Sequence, residues 1–375
     1  MTKLFSLASL FCAGSLFAQL YVPEIPFDSA PNFLKLPEHL YLGEAVGVAT
    51  NSKGNVFVYT RTGTSYVTFG TSRAFANGGA RLFEFDPSGK FVREIGQNLY
   101  GFVFAHTVRV DPQDNIWVVD EGSNMIIKFN PEGRVVMTMG RKAEEMRVPA
   151  APAPMPEAPA TAGGRGPGGG GGGGGRGGAA TPGAPVGAGA QTDVFNRPTD
   201  VAWDPAGNIF VSDGYGNSRV AKFDKNGVFI KSWGSRGTET GQFNTPHTLA
   251  TDAQGNVYVG DRGNRRIQVF DNGGEFKKAY LNVGAPWAVC ISPGPHQYLF
   301  SSNSNGTSDM ENGEIYKMEL DGRILGKFGT AGKLLKEFGS VHEIDCRNPN
   351  EILVGEITNW RVQKLTLHAS ASGTR

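Results

Sequence analysis

The stretch PTDVAWDPAGNIFVSDGYGNSRVAKF, residues 198–223, decides the fold, because the same phrase recurs along the chain. PHTLATDAQGNVYVGDRGNRRIQVF fills 246–270 and AHTVRVDPQDNIWVVDEGSNMIIKF fills 105–129. Weaker copies, AVGVATNSKGNVFVYTRTG from Ala45, PWAVCISPGPHQYLFSSNSNG from Pro286 and VHEIDCRNPNEILVGEITNWRVQKL from Val341, bring the number to six. Each copy opens on an alternating run, reverses at a polar turn such as DPAGN or DAQGN, and returns through a β-branched run such as NVYVGD. A third strand follows (RRIQVF, RVAKF, MIIKF), then a second turn (DKNG, NPEG) and a fourth strand. Four antiparallel strands in each of six copies specify an all-β chain folded as a six-bladed β-propeller over 41–369. The segment FLKLPEHLYL, 33–42, is expected to add the strand that closes the ring.

The flanks and one interior tract read differently. Residues 1–18 carry a lone Lys3, an apolar stretch from Leu4 to Phe17, and a cleavage site after Ala18, the pattern of a signal peptide for export to a periplasmic or extracellular space. Cys12 does not suit lipid attachment, because the bulky Phe11 precedes it. Residues 19–40 form a lead-in and 370–375 a tail. From 142 to 192 the chain is dominated by Ala, Pro and Gly, including GGRGPGGGGGGGGRGG, and is expected to be a disordered insert between blades two and three. Charged residues make up 19% of the 375 and the net charge is +1, which argues against a nucleic-acid partner, and no later apolar run spans a bilayer. Without its leader the chain keeps Cys290 and Cys346, a pair that export permits to bond.

Aligned on the turn glycine, one position early in the first strand holds Val46, His106, Thr199, His247, Trp287 and His342. Three of the chain's six histidines fall there, in blades two, four and six. First strands line the central channel of a propeller, so the three imidazoles are expected to converge on its axis. Three histidines with a position left open is the ligand set of a catalytic zinc ion. Fourteen residues further on stand Asp120, Asp213, Asp261 and Glu356, read as turn caps. The second strand runs back to the histidine rim, so Arg61 and Arg262 at the fifteenth place and Tyr215 at the sixteenth are expected to face the same site. An arginine fork suits a carboxylate. A tyrosine beside a dication and a guanidinium is expected to have a lowered pKa and to serve as a base.

These residues resemble a known family. PTDVAWDPAGNIFVSDGYGNSRV with GQFNTPHTLATD and DRGNRRIQVF is similar to the peptidyl-α-hydroxyglycine α-amidating lyases, which are NHL-repeat propellers. The likeness covers the propeller and is sharpest from Pro198 to Phe270. It implies zinc on His106, His247 and His342, a catalytic Tyr215, an active-site Arg61 and a second arginine at Arg262. It also implies a structural calcium on the carbonyls of Val48 and Val108 and the carboxylate of Glu343, where the family usually has Asp. Two other departures are Ser340 in place of a pocket methionine and Gly216 in place of a half-cystine. The implied reaction cleaves the C–N bond of a peptide or N-acyl compound ending in α-hydroxyglycine, giving an amide and glyoxylate. A separate monooxygenase would have to supply that substrate. The competing reading is a non-catalytic exported scaffold of NHL repeats that binds a protein partner and holds a structural metal. A lactone hydrolase on the same fold ranks lowest, since the axial histidines do not suit it.

Overall fold

A computed structural model describes residues 22–62, 66–69, 73–76, 79–140, 192–304 and 313–369; for 66–69 and 73–76 only the backbone is considered. The expected signal peptide, the Ala/Pro/Gly-rich tract and the C-terminal tail lie outside the described residues, save Thr192 at the tract's edge. The described chain is built almost entirely of strands, and six of its sheets have four strands each. Blade one is β2 (Glu44–Thr50), β3 (Val56–Arg61), β6 (Ala80–Phe85) and β7 (Phe91–Ile95), with the hairpin β4–β5 (Tyr66–Phe69, Arg73–Ala76) set between β3 and β6. Blades two to five are β8–β11 (Ala105–Gly140), β12–β15 (Asp200–Trp233), β16–β19 (Pro246–Tyr280) and β20–β23 (Pro286–Phe328). A short parallel pair, β24–β25 (Thr330–Ala331, Glu337–Phe338), leads into blade six. That blade is β26 (Val341–Asn348), β27 (Glu351–Glu356) and β28 (Arg361–Leu367), completed on its outer edge by β1 (Phe27–Ser29).

The ring is therefore closed by Phe27–Ser29, which pairs with Leu365–Leu367, and not by FLKLPEHLYL. Alternation alone did not separate the two segments. Phe33, Leu34, Leu36 and Leu40 instead pack onto the core between blades six and one.

The repeat turns form as their chemistry dictates. The Asp204 carboxylate accepts from the backbone N–H groups of Ala206 and Asn208, at 2.9 and 2.8 Å. Gly207 takes φ +86°, which a side chain would resist. The carboxylates at the fourteenth place also hold structure. Asp120 accepts from the N–H of Phe104, Asp213 from Asn196, Asp261 from Asn244 and Glu356 from Gly339. Each ties the end of its second strand to the segment entering the blade.

Apolar clusters fill the junctions between neighbouring blades all around the ring. Each fully buried Val, Leu, Ile or Phe contributes about 1.5–3 kcal/mol. Blades five and six are also joined covalently: Cys290 and Cys346 form a disulfide with Cα atoms 6.0 Å apart. It closes a loop spanning a sequence separation of 56. Replacing both cysteines with serine is expected to cost about 2–4 kcal/mol. The denaturant midpoint of the double variant against that of the unreduced protein measures this, and equal midpoints would contradict it.

Candidate metal centre

The first strands of four blades share an irregularity that positions the site. In blade one the pairing with the second strand slips between Ala45 and Gly47, skipping Val46. It slips between Ala105 and Thr107 in blade two, between Pro246 and Thr248 in blade four, and between Val341 and Glu343 in blade six. In these three blades the skipped residue is the histidine. Consecutive residues of a regular strand face opposite sides, and a bulge breaks that rule and re-aims a side chain. Here it lets a histidine and the residue after it line one space in the channel: His106 with Thr107, His247 with Thr248, and His342 with Glu343.

The three imidazoles meet. Each can offer one ring nitrogen, and those nitrogens lie within 4.8 Å of one another. The ring centroids are 4.6 to 4.8 Å apart, and all three residues are buried. His247 Nδ1 is 2.6 Å from the Trp287 carbonyl and His342 Nδ1 is 2.7 Å from the Val46 carbonyl. In both cases the acceptor is the equivalent residue of the next blade. A carbonyl only accepts, so each of these rings carries its proton on Nδ1 and leaves Nε2 as a lone pair. His106 Nδ1 makes no full hydrogen bond, and the Thr199 backbone, its counterpart in blade three, exerts only a weak pull on it. Burial drives all three imidazole pKa values well below the usual histidine range, and neighbouring charges push the same way, Arg262 on all three and Arg61 on His106 and His342. Neutral rings with converging lone pairs suit a divalent cation, so the residues present fit a zinc ion.

A hydroxyl faces these nitrogens. Tyr215 Oη is 3.4 Å from His106 Nε2 and 3.1 Å from His247 Nε2. Burial raises the phenol's pKa; Arg262 opposes this most strongly, Glu121 reinforces it, and Arg61 and Arg197 pull it down. The protein's own side chains therefore do not lower it on balance; the sequence expectation of a lowered pKa counts a dication among its neighbours. Arg262 stands on a one-turn helix, Arg262–Asn264, with its guanidinium carbon 4.4 Å from the Trp287 ring centre and 5.5 Å from that of Tyr215. Among the described residues no carboxylate pairs with it. Arg61 is more constrained. Its Nε donates to the Ala105 carbonyl at 2.7 Å, Nη1 lies 3.3 Å from Glu44, Nη2 lies 3.9 Å from Glu121, and the fork stacks on Phe104.

Sequence reading missed four members of this rim. Arg197 stacks on the Tyr215 ring at 4.7 Å and forms an ion pair with Glu121. Glu44 and Phe104 flank Arg61. The signal was available: Glu121 occupies the fifteenth place that Arg61 and Arg262 share, while Glu44, Phe104 and Arg197 each stand two residues before the histidine position. Ser340 stands there in blade six, buried, with its hydroxyl 3.0 Å from that of Thr358. At Gly216 a Cβ would lie 2.1 Å from the Asn196 side chain, so a half-cystine there would have to displace that side chain.

Of the residues expected to hold calcium, Glu343 already faces a fixed cation. Glu343 is buried, its Oε1 lies 2.8 Å from Arg109 Nη1, and its Oε2 accepts from the Thr107 hydroxyl. Burial pushes its carboxyl well above the usual range against the pull of Arg109. Burial disfavours the Arg109 charge, but Asp200 and Glu343 raise its pKa overall. A carboxyl so occupied, with a fixed cation against it, does not suit a calcium ion.

The bladed fold and its sequence repeats define the class, an NHL-repeat six-bladed β-propeller: the NHL repeat model matches residues 195–223 and 243–270. Within that class the chain is similar to the peptidyl-α-hydroxyglycine α-amidating lyases. It is 25% identical to peptidyl-α-hydroxyglycine α-amidating lyase 1 of Drosophila melanogaster, across 94% of this chain and 65% of that one. It is 29% identical to peptidyl-glycine α-amidating monooxygenase B of Xenopus laevis, across 85% of this chain and 33% of the relative. The chain thus spans about a third of the length of the amidating monooxygenases it matches. Among solved structures, virginiamycin B lyase from Staphylococcus aureus matches with a TM-score of 0.52 at 12% identity, covering 92% of this chain and all of the other. A gluconolactonase from Xanthomonas campestris also matches at 0.52, with 14% identity over 88% of this chain and 87% of its own. These two likenesses concern the fold alone. No helix among the described residues is long and apolar enough to cross a membrane.

Proposed function

We propose that this chain is an exported zinc-dependent lyase that cleaves the C–N bond of a peptide or N-acyl compound ending in α-hydroxyglycine. The observation that carries the reading is the Tyr215 hydroxyl set against two of three converging imidazoles, with Arg262, which pairs with no carboxylate among the described residues, stacked beside it. The relatives' names support the substrate class. Another protein, a monooxygenase, supplies the hydroxylated compound.

His106, His247 and His342 hold the metal. Arg262, assisted by Arg61, holds the substrate carboxylate in a bidentate fork. The α-hydroxyl then lies toward Tyr215 Oη. When bound, zinc supplies positive charge that lowers the phenol pKa and stabilises negative charge developing on substrate oxygen. Tyr215, as phenolate, takes the hydroxyl proton. The O–H electron pair becomes the new C=O bond of glyoxylate while the C–N bond breaks. The departing amide nitrogen recovers a proton from Tyr215, so the base is regenerated and proton count balances. Trp287 and Phe104, stacked on the two arginines, keep water from the guanidinium faces.

The test is direct. Purified zinc-loaded protein is mixed with a peptide ending in α-hydroxyglycine, and glyoxylate and amide are quantified together. Equal release of both, above the spontaneous rate and abolished by stripping the metal, is the expected result. Bound zinc without glyoxylate would leave the scaffold reading in possession of the site.

A further inference from the structure

Next to the histidines lies a second set of residues, the one that follows the histidine position in each blade: Gly47, Thr107, Asp200, Thr248, Ala288 and Glu343. Its polar members bind one another across blades. Thr107 of blade two donates to Glu343 of blade six, and Thr248 of blade four donates to Asp200 of blade three at 2.8 Å. Arg109 joins the two halves. From blade two, its Nε and Nη2 reach the two oxygens of Asp200 at 3.0 and 2.6 Å. Its Nη1 lies 2.8 Å from Glu343, and Nη2 also reaches the Val289 carbonyl of blade five at 3.3 Å. One guanidinium thus touches three other blades.

We propose that Arg109 is the resident cation of this channel, standing where a divalent ion would otherwise bridge the blades, so that the propeller and its histidine site need no calcium. A calcium ion demands six to eight oxygen ligands and brings two charges. The Arg109 fork already satisfies both Asp200 oxygens and sets its charge 2.8 Å from Glu343 Oε1, an oxygen that makes no hydrogen bond. A dication beside it would meet a like charge in a buried, weakly screened place. The arrangement also explains why a longer carboxylate stands at 343: Glu343 reaches a guanidinium held by blade two. This inference concerns the second set alone and stands whether or not the chain is a lyase.

The test uses the full-length zinc-loaded protein in buffer freed of calcium by resin. Elemental analysis is expected to find no stoichiometric calcium, and millimolar calcium is expected to leave Tm unchanged. Arg109→Ala leaves two carboxyl groups facing an emptied space. Its Tm is expected to fall without calcium and to rise by about 5 °C with it, the size produced by a ligand at about a hundred times its Kd that binds only the folded state. Arg109→Lys, which keeps a cation, should show no calcium response. The proposal is overturned if the unmutated protein carries calcium or gains Tm from it. A soluble Arg109→Ala protein indifferent to calcium would also overturn it. Should that variant not fold, the unmutated protein decides the matter.

Discussion

His247→Ala protein is expected to bind no stoichiometric zinc and to release glyoxylate at least about 10³-fold more slowly than the parent. A metal that stabilises charge at a transition state is worth several kcal/mol, and each 1.36 kcal/mol is a factor of ten. His247 is the most informative of the three to remove. Its Nδ1 is fixed on the Trp287 carbonyl and its Nε2 faces Tyr215, so truncation removes a ligand and a neighbour of the proposed base together. The propeller should tolerate the change, because the histidine occupies a bulge outside the strand pairing. Zinc content by elemental analysis, Tm and glyoxylate release on one sample separate the possibilities. Retained zinc with retained activity would remove the triad from the mechanism. Lost zinc accompanied by a collapsed Tm would make the metal structural, as the scaffold reading requires.

The fold was legible because its signal is repetition. Six copies of one turn phrase fix where strands start and stop, and four-stranded blades follow. The closing strand was not legible. Phe27–Ser29 is three residues long, and its partner lies more than three hundred residues away, so no local pattern marks it. Likewise the histidine positions were found by aligning copies, but the bulge that aims them was not. A bulge shows only when the partner strand is known, since the sequence of one strand does not reveal which residue goes unpaired. The rim taught the same lesson. Arg61 and Arg262 were found because their charge matched an expected role, whereas Glu121, at the same place in blade two, was passed over. The second set of residues lay hidden for a different reason. Arg109 looks like an ordinary alternating strand residue, and only the closure of the ring brings Asp200 and Glu343 to it.

Tyr215→Phe is expected to lower kcat by about 10³-fold while leaving zinc content, Tm and KM nearly unchanged. A positioned general base contributes about 10² to 10⁴. The substitution isolates the hydroxyl. The phenyl ring would still lie under Arg197 and Arg262, whose guanidinium carbons sit 4.7 and 5.5 Å from its centre, so the carboxylate clamp keeps its footing. The two imidazole nitrogens that face the hydroxyl are committed to the metal in the proposed enzyme and need no donor from Tyr215. A loss of rate without loss of binding therefore points to proton transfer, because a merely packing residue would shift KM or Tm instead. A pH profile gives the second reading: the ascending limb of kcat in the parent should report the phenol and should vanish in the variant. Turnover in Tyr215→Phe within about threefold of the parent would assign the base elsewhere, and would leave the three histidines with Arg61 and Arg262 as the whole of the catalytic apparatus.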